Sequence, residues 1–259
     1  MKTEKSKAGS PDCIILGIET GGDNCSVVLS KGCEIIALKE KAGREHSKYL
    51  SVFIDDVVRD SGLSYSDIDA VAVGKGPGSY TGLRIGVGTA KGICYGVGKP
   101  LIAINSLLSL VSTCRNVLSP ASSSLVYCPL IDARRLEVYT ALFDMSLHQL
   151  SDTEAMIISE NSFAEILSTQ KVCFFGSGAK KCKEIIKSPN AIFADIENSA
   201  SGLVYPAVEA FNNSQFEDAA YFEPFYLKDF VVTEKKKSSV NDSKKSVSLR
   251  LCNLKKMIN

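Results

Sequence analysis

The sequence contains no tryptophan, only two histidines and no pair of cysteines spaced C-x-x-C. Of these shortages, that of histidine excludes the largest number of enzyme mechanisms, because this side chain is the commonest general base and metal ligand in enzymes. His46 and His148 each stand alone, without a second histidine four residues away on the same helix face. The sequence therefore indicates no metal site and no Ser-His-Asp or Cys-His catalytic set. We predict no catalytic residue.

Long apolar runs are also missing, and no stretch is long enough to span a bilayer. The first residues, Met1–Pro11, are polar and rich in lysine, and the apolar run Cys13–Ile18 is too short for a signal-peptide core. We therefore expect a cytoplasmic protein that does not enter a membrane. In that compartment the nine cysteines, most of them in apolar runs, are expected to be buried, reduced thiols.

Charge is unevenly distributed along the chain, although the net charge is only +1. Residues 233–259 contain eight Lys or Arg against Glu234 and Asp242, so this segment carries +6 and the rest of the chain −5. An acidic body differs from the basic folded face of a self-sufficient nucleic-acid binder. We predict that 233–259 is a basic, flexible tail, with contact to RNA phosphates as the alternative. Residues 1–12 are predicted to be disordered.

The apolar pattern of the first half predicts the order β-β-β-α-β-α-β-α. The first helix is typical: its apolar residues Leu50, Phe53, Ile54 and Val57 recur at helical spacing. This order is that of one lobe of a ribonuclease-H-like, actin-like fold, which we assign to residues 13–118. The predicted elements are the strands Cys13–Thr20, Cys25–Ser30, Cys33–Lys39, Ala70–Val73 and Pro100–Ile104, and the helices His46–Ser61, Ser79–Gly96 and Ser106–Cys114.

The second half repeats this pattern in a degenerate form after a linker, Ser119–Ser124. We therefore predict an α/β, two-lobed, actin-like (ASKHA) fold whose second lobe spans residues 119–232. Glu223–Val232, rich in aromatic and β-branched residues, is expected to return and pack on the body. The predicted elements of this lobe are the strands Leu125–Ile131, Leu136–Phe143, Lys171–Phe175 and Ala191–Ile196, and the helices Ser162–Thr169, Ala179–Lys187 and Leu203–Asn212.

The segment Gly74–Gly86, GKGPGSYTGLRIG, is the most distinctive of the chain. Pro77 between glycines predicts a tight turn, and Ser79 can cap the helix that follows. A helix N-terminus can hold an anion, but this sequence is neither a Walker A loop nor a G-x-G-x-x-G motif. The candidate nucleotide or anion contacts are Glu19, Gly76, Gly78 and Ser79.

The helix after this turn carries five glycines, each of which costs about 1 kcal/mol relative to alanine in a helix interior. At 100° per residue they project to one side together with Ile85 and Thr89, whereas Leu83 and Val87 lie nearly opposite. A face without side chains would let another backbone approach closely. That backbone is the His46–Ser61 helix, a helix of another subunit, or both if the two helices jointly form an interface bundle. The glycines are Gly82, Gly86, Gly88, Gly92 and Gly96.

Four segments together resemble a known family. They are CIILGIET at Cys13–Thr20, the R-x-H-S pattern of Arg44–Ser47, the GPGSYTGLRIG segment, and DARRLEVYTALF at Asp132–Phe143. The chain is similar, from about Cys13 to Leu227, to the TsaB (YeaZ) family, whose members are paralogues of TsaD and act in the biosynthesis of threonylcarbamoyladenosine (t6A) in tRNA. The resemblance implies the same actin-like fold.

The resemblance also implies a role without catalysis. TsaD binds metal through an H-x-x-x-H motif, and the matching positions here are Ser106 and Leu110, neither of which can replace an imidazole. A pseudoenzyme, not a protease, would then serve as scaffold and activator for TsaD, joined by TsaE, and reach tRNA only through that complex. The modified base would be position 37 of tRNAs that read ANN codons. No cofactor is expected for the chain alone, with ATP or ADP confined to the complex interface.

By the same resemblance, helices of the first lobe would form the contact with TsaD, and a homodimer would form through them when the chain is alone. The predicted interface residues are Leu50, Phe53, Ile54, Tyr80, Gly82, Ile85, Gly86 and Thr89. The alternative hypothesis is an actin-like kinase or ATPase active by itself, using Glu19 and the Gly76–Ser79 turn. A third hypothesis, a tRNA-binding module, depends on the basic tail.

Overall fold

The structure, a computed structural model, describes residues 12–118 and 125–228. The predicted basic tail, the Ser119–Ser124 linker and all but the last of residues 1–12 lie outside the described residues. Elements of the first lobe follow the predicted order, β-β-β-α-β-α-β-α. They are β1 (Ile14–Glu19), β2 (Asn24–Lys31), β3 (Glu34–Ala42), α1 (His46–Ser61), β4 (Ala70–Gly76), α2 (Tyr80–Val97), β5 (Leu101–Asn105) and α3 (Ser106–Val117).

The first sheet has the strand order β3-β2-β1-β4-β5. β1 pairs antiparallel with β2 and parallel with β4, so the hairpin strands and the crossover strands meet at β1. Both faces of this sheet are covered, which explains why β1, β2 and β4 are almost continuously buried. α1 packs over β2 and β3 and α2 packs over β4 on one face. α1 and α2 therefore lie side by side.

Local capping residues bound both helices. α1 stops at Gly62, whose φ of 72° is left-handed and whose N–H bonds the carbonyl of Arg59. α2 begins after Ser79, whose hydroxyl accepts a hydrogen bond from the N–H of Gly82, and stops at Gly98 with φ of 66°. The predicted boundaries of these helices are confirmed to within one or two residues.

The elements of the second lobe are β6 (Val126–Asp132), β7 (Glu137–Thr140), β8 (Glu154–Ile157), α4 (Ala164–Thr169), β9 (Val172–Phe175), α5 (Ala179–Ile185), β10 (Ala191–Phe193) and α6 (Val204–Asn212). This lobe has a sheet of order β10-β9-β6-β7-β8. Its helices α4 and α5 contain only six and seven residues, in agreement with a degenerate copy of the first lobe. The short edge strand β8 was not predicted, because its four residues EAMI show no alternation of apolar and polar side chains.

Two C-terminal segments that fall within the predicted second lobe pack on the first lobe. α6 covers the face of the first sheet opposite α1 and α2. Residues Glu217–Lys228, which we call the C-terminal strap, then cross to the α2 side, as expected for the part of Glu223–Val232 that the structure describes. The strap begins with a hydrogen bond from the N–H of Glu217 to the carbonyl of Leu101, at the β5 edge of the sheet. Since α1 covers the opposite edge, α2 lies between α1 and the strap.

Candidate functional site: the glycine-rich turn and helix α2

The glycines of the turn before α2 allow backbone segments of the same chain to approach closely. Gly76 has a φ of 109°, and a Cβ atom at this position would lie 2.7 Å from the carbonyl oxygen of Phe225 in the strap. A Cβ atom at Gly78 would overlap the carbonyl oxygen of Gly21. Glycine is therefore required here for packing between three segments of one chain.

Glu19, at the end of β1, is fully buried beside this turn. Its Oε1 accepts a hydrogen bond of 2.8 Å from the N–H of Gly21, whereas Oε2 has no hydrogen-bond partner in the described chain. The backbone of Gly74 lies directly against the carboxyl group, where a Cβ atom would overlap it. Burial raises the pKa of Glu19 to about 7, so the carboxyl group is largely protonated below neutral pH.

The four candidate nucleotide contacts are thus close together, but they do not form an open phosphate cradle. Glu19 is enclosed, Gly76 and Gly78 touch the chain's own backbone, and Ser79 is engaged as the cap of α2. The N–H of Ser79 also donates 2.8 Å to the carbonyl of Gly21, so it does not point to an anion. Nothing in this geometry supports nucleotide binding by the described residues in this conformation.

Four of the predicted interface residues are buried, so their prediction as surface contacts is wrong. Leu50 and Ile54 belong to the core, because the apolar stripe of α1 faces its own sheet. Gly82 and Gly86 face Thr20, whose hydroxyl donates 2.8 Å to the carbonyl of Gly82. A Cβ atom at either glycine would overlap Thr20. The backbone that uses these two glycines is thus the segment after β1, and neither α1 nor another subunit.

The other three glycines of α2 face outward. A Cβ atom at Gly88, Gly92 or Gly96 would have no atom of another element within 4 Å. At 100° per residue the five glycines spread over an arc of about 160°, which is too wide for a single face. The two at one edge of this arc turn toward the sheet and the remaining three turn away from it. This division corrects the prediction that one partner uses all five.

The remaining predicted interface residues are accessible around these outer glycines. Ile85 and Thr89 are half-buried on α2, and Tyr80 is 37% exposed at its start. On the neighbouring helix Phe53 is half-buried, beside the exposed Val52. These side chains and the outer glycines lie on the accessible sides of α1 and α2.

The two histidines and the two positions that match the TsaD metal motif, none of which is predicted to be catalytic, have local structural roles. His46 is buried at the start of α1, where burial lowers its pKa, and His148 contacts Asp144 in a turn. Ser106, at one of the two positions that match the TsaD metal motif, accepts a hydrogen bond from the N–H of Gly76, and Leu110 lies in the core. Within residues 12–118 and 125–228, no three His, Cys, Asp or Glu side chains are grouped to hold a metal ion.

The Gly176–Gly178 segment of the second lobe forms a turn. A Cβ atom at Gly176 would lie 2.6 Å from the carbonyl of Leu130, and the N–H of Gly178 bonds that same carbonyl. The segment therefore packs against β6. None of the helices that the structure describes has the length and apolar character needed to cross a membrane.

Comparison with known proteins now identifies the family. The family model described as TsaD, tRNA N6-adenosine threonylcarbamoyltransferase, matches residues 37–239. The TsaB protein of Escherichia coli is 29% identical over 85% of this chain and 97% of its own length. The TsaB protein of Bacillus subtilis is 28% identical over 83% of this chain and 93% of its own length. The chain belongs to the TsaD family, on its TsaB (YeaZ) branch.

Solved structures agree with this assignment at the level of the fold. YeaZ from Pseudomonas aeruginosa superimposes with a TM-score of 0.70 at 22% identity, over 83% of this chain and all of that one. A second structure from the same organism, of a protein with similarity to peptidase YEAZ, gives a TM-score of 0.74 at 22% identity over the same shares. The two-lobed, actin-like fold predicted from the sequence is confirmed.

Proposed function

We propose that this chain is a non-catalytic scaffold and activator subunit for t6A formation at position 37 of tRNAs that read ANN codons. It would pair with a TsaD-type subunit, joined by TsaE, in the cytoplasm, and would reach tRNA only through that complex. Membership of the family supports this proposal, as do the names of the E. coli and B. subtilis relatives, which are described as tRNA threonylcarbamoyladenosine biosynthesis proteins.

The observation that carries the proposed interface is the set of three outward-facing glycines, Gly88, Gly92 and Gly96. Each costs about 1 kcal/mol of helix stability relative to alanine. Gly82 and Gly86 are explained by Thr20, but no part of the described chain uses the outer three. A helix of a partner, lying along α2 at a short interaxial distance, would use them. The same face would form the homodimer of the free subunit.

The non-catalytic role in this proposal is argued from the side chains that the chain provides. A TsaD-like metal site would need imidazoles where Ser106 and Leu110 stand. Glu19, the carboxylate that an actin-like kinase would use, is enclosed by protein in this conformation. In this proposal ATP or ADP binds only at the interface with the partner.

The experiment is co-purification with the TsaD protein of the same organism, through a tag on one partner. The variant Gly88→Leu/Gly92→Leu adds side chains where the structure has open space, so that its fold should be retained. Leucines at positions 82 and 86 would instead collide with Thr20 and could unfold α2. The matched control is Asn116→Leu, which adds a leucine to an exposed position of α3.

We expect the double variant to lose TsaD while its circular dichroism and the control's binding stay unchanged. Retention of TsaD by the double variant would move the interface away from the outer face of α2. If even the unaltered chain fails to bind TsaD, the scaffold proposal fails. Turnover of Mg-ATP by the isolated chain, abolished in Glu19→Ala, would then establish the ATPase alternative.

A further inference from the structure

The C-terminal strap borders the outer face of α2 on the side opposite α1. Lys91 of α2 donates hydrogen bonds of 2.9 and 3.2 Å to the strap carbonyls of Phe222 and Ala220. Further along, the N–H of Phe225 donates 2.7 Å to the carbonyl of Lys75, in the turn before α2. These bonds place Tyr226 at the first turn of α2.

At that turn the two tyrosines lie beside an arginine. The rings of Tyr226 and Tyr80 lie 4.9 Å apart between centroids. Arg84, one helical turn after Tyr80, places its guanidinium carbon 5.6 Å from the Tyr80 ring centroid and donates 3.3 Å to the Tyr80 hydroxyl. Tyr226 is thus linked to the guanidinium through the ring of Tyr80. Burial and the neighbouring Tyr80 raise the pKa of Tyr226, and Arg84 opposes this rise.

Arg84 is a cation without a carboxylate in the part of the chain that the structure describes. Some other exposed cations are paired: Arg44 with Asp23, and Lys39 with Asp60. The carboxylate of Glu223 contributes to the raised pKa of Tyr226 but forms no ion pair with Arg84. α2 itself contains no Asp or Glu, and its only charged residues are Arg84 and Lys91.

The guanidinium lines a surface depression of about 310 Å³ together with Tyr80, Thr81 and Ile85. This depression continues into the surface formed by Ile85, Thr89 and the outer glycines. Tyrosine and arginine are the residue types that most often dominate binding energy at protein interfaces. A guanidinium already restrained by an aromatic ring loses less side-chain entropy when it pairs with a carboxylate.

We propose that Tyr80, Arg84 and Tyr226 form the anchor of the partner-binding surface, in which Arg84 receives a carboxylate side chain from the helix of a TsaD-type partner. This inference rests on the proposed function and extends its interface to the strap. Charge complementarity selects the partner, because the exposed face of α2 is cationic and a partner helix along it must supply the negative charge. A second copy that paired α2 with α2 would offer no carboxylate from that helix.

The test compares the affinity of full-length variants for purified TsaD of the same organism by isothermal titration calorimetry. Arg84→Glu is expected to raise Kd at least about 10-fold, because like charges then meet at the anchor. Tyr226→Leu is expected to raise Kd about 3- to 10-fold by removing the ring that packs against Tyr80. The matched control is Arg115→Glu, which removes an arginine stacked 4.7 Å over Tyr205, away from α2, and should leave Kd unchanged.

Salt provides an independent readout. The Kd of the unaltered chain should rise more steeply with ionic strength than the Kd of Arg84→Gln, because the variant lacks the ion pair. Equal salt dependence in the two proteins would overturn the carboxylate assignment. Circular dichroism and thermal unfolding confirm that each variant is folded.

The anchor and the proposed function can fail separately. If Gly88→Leu/Gly92→Leu loses TsaD but Arg84→Glu binds like the unaltered chain, the anchor is wrong and the scaffold proposal stands. If Arg84→Glu prevents only self-association, the occupant is a second copy and the anchor for a TsaD-type partner is overturned. If the unaltered chain binds no TsaD, both proposals fail.

Discussion

At the scale of single residues, the carboxyl group of Glu19 links stability to pH. Its pKa of about 7 in the folded protein lies above the ordinary value of 4.5, because burial disfavours the charged form. The protonated group therefore contributes stability that is fully present below pH 4.5 and is lost as the pH rises through 7. The loss amounts to roughly 3 kcal/mol of unfolding free energy.

We predict that Glu19→Gln removes this loss. Chemical denaturation between pH 4.5 and 8.5 should show that the unfolding free energy of the unaltered chain falls relative to the variant. His46, whose pKa is lowered by burial, acts in the opposite direction but equally in both proteins, so the difference isolates Glu19. A constant difference across this range would show that Glu19 stays charged in the fold.

At the scale of elements, α2 contains glycines with two different tasks, and alanine substitutions should separate them. Gly82→Ala places a methyl group against the carbonyl of Thr20, and we predict a loss of about 2 kcal/mol or more in unfolding free energy. Gly96→Ala meets open space and should add about 0.5–1 kcal/mol. Thermal unfolding of the two variants measures both changes in unfolding free energy. Changes of the same sign would contradict the division of the α2 glycines into two groups.

The strap depends on α2 through the ammonium group of Lys91. In Lys91→Met the carbonyls of Ala220 and Phe222 lose their donor, at a cost of about 1 kcal/mol. We predict faster hydrogen exchange at residues 217–228 in this variant, with unchanged exchange in β6–β9. Lys91→Arg, which keeps a donor, serves as the control. Unchanged exchange in the strap would show that its other contacts, among them the packing of Phe222, hold it without Lys91.

Much of the first lobe was predictable because each of its elements carries a local signal. The helical spacing in α1 and the Ser79 cap of α2 fix type and boundary without tertiary information. The partition of the α2 glycines was not predictable, since it depends on Thr20, 62 residues away from Gly82. Sequence reasoning also missed Arg84, although its spacing of four from Tyr80 and the absence of acids in α2 were visible signals.

At the scale of the whole molecule, the position of the strap shows why the second lobe could not be delimited from sequence alone. Sequence patterns predict the restart after residue 124 and the return of Glu223–Val232 to the body, but not that α6 and the strap pack on the first lobe. That return depends on long-range packing of Phe222 and its neighbours against the core of the first lobe. Lys228 at the end of the strap then pairs with Glu137 of β7, so the strap bonds both lobes.

If the homodimer and the TsaD complex share the outer face of α2, they must compete. We predict that the free chain elutes as a dimer in size-exclusion chromatography with light scattering. Its apparent affinity for TsaD should then fall as its own concentration rises, because dimer dissociation precedes binding. An affinity that is independent of chain concentration would place the two contacts on different surfaces.

The outward glycines of α2 also have a consequence for the protein inside a cell. A helix with three such positions opens locally more often than its neighbours, and opened segments are the ones that proteases cut. A copy that has found no companion would therefore be degraded faster than a copy within an assembly. Turnover of orphaned copies would then match the supply of this subunit to that of its companion, without any regulation of synthesis.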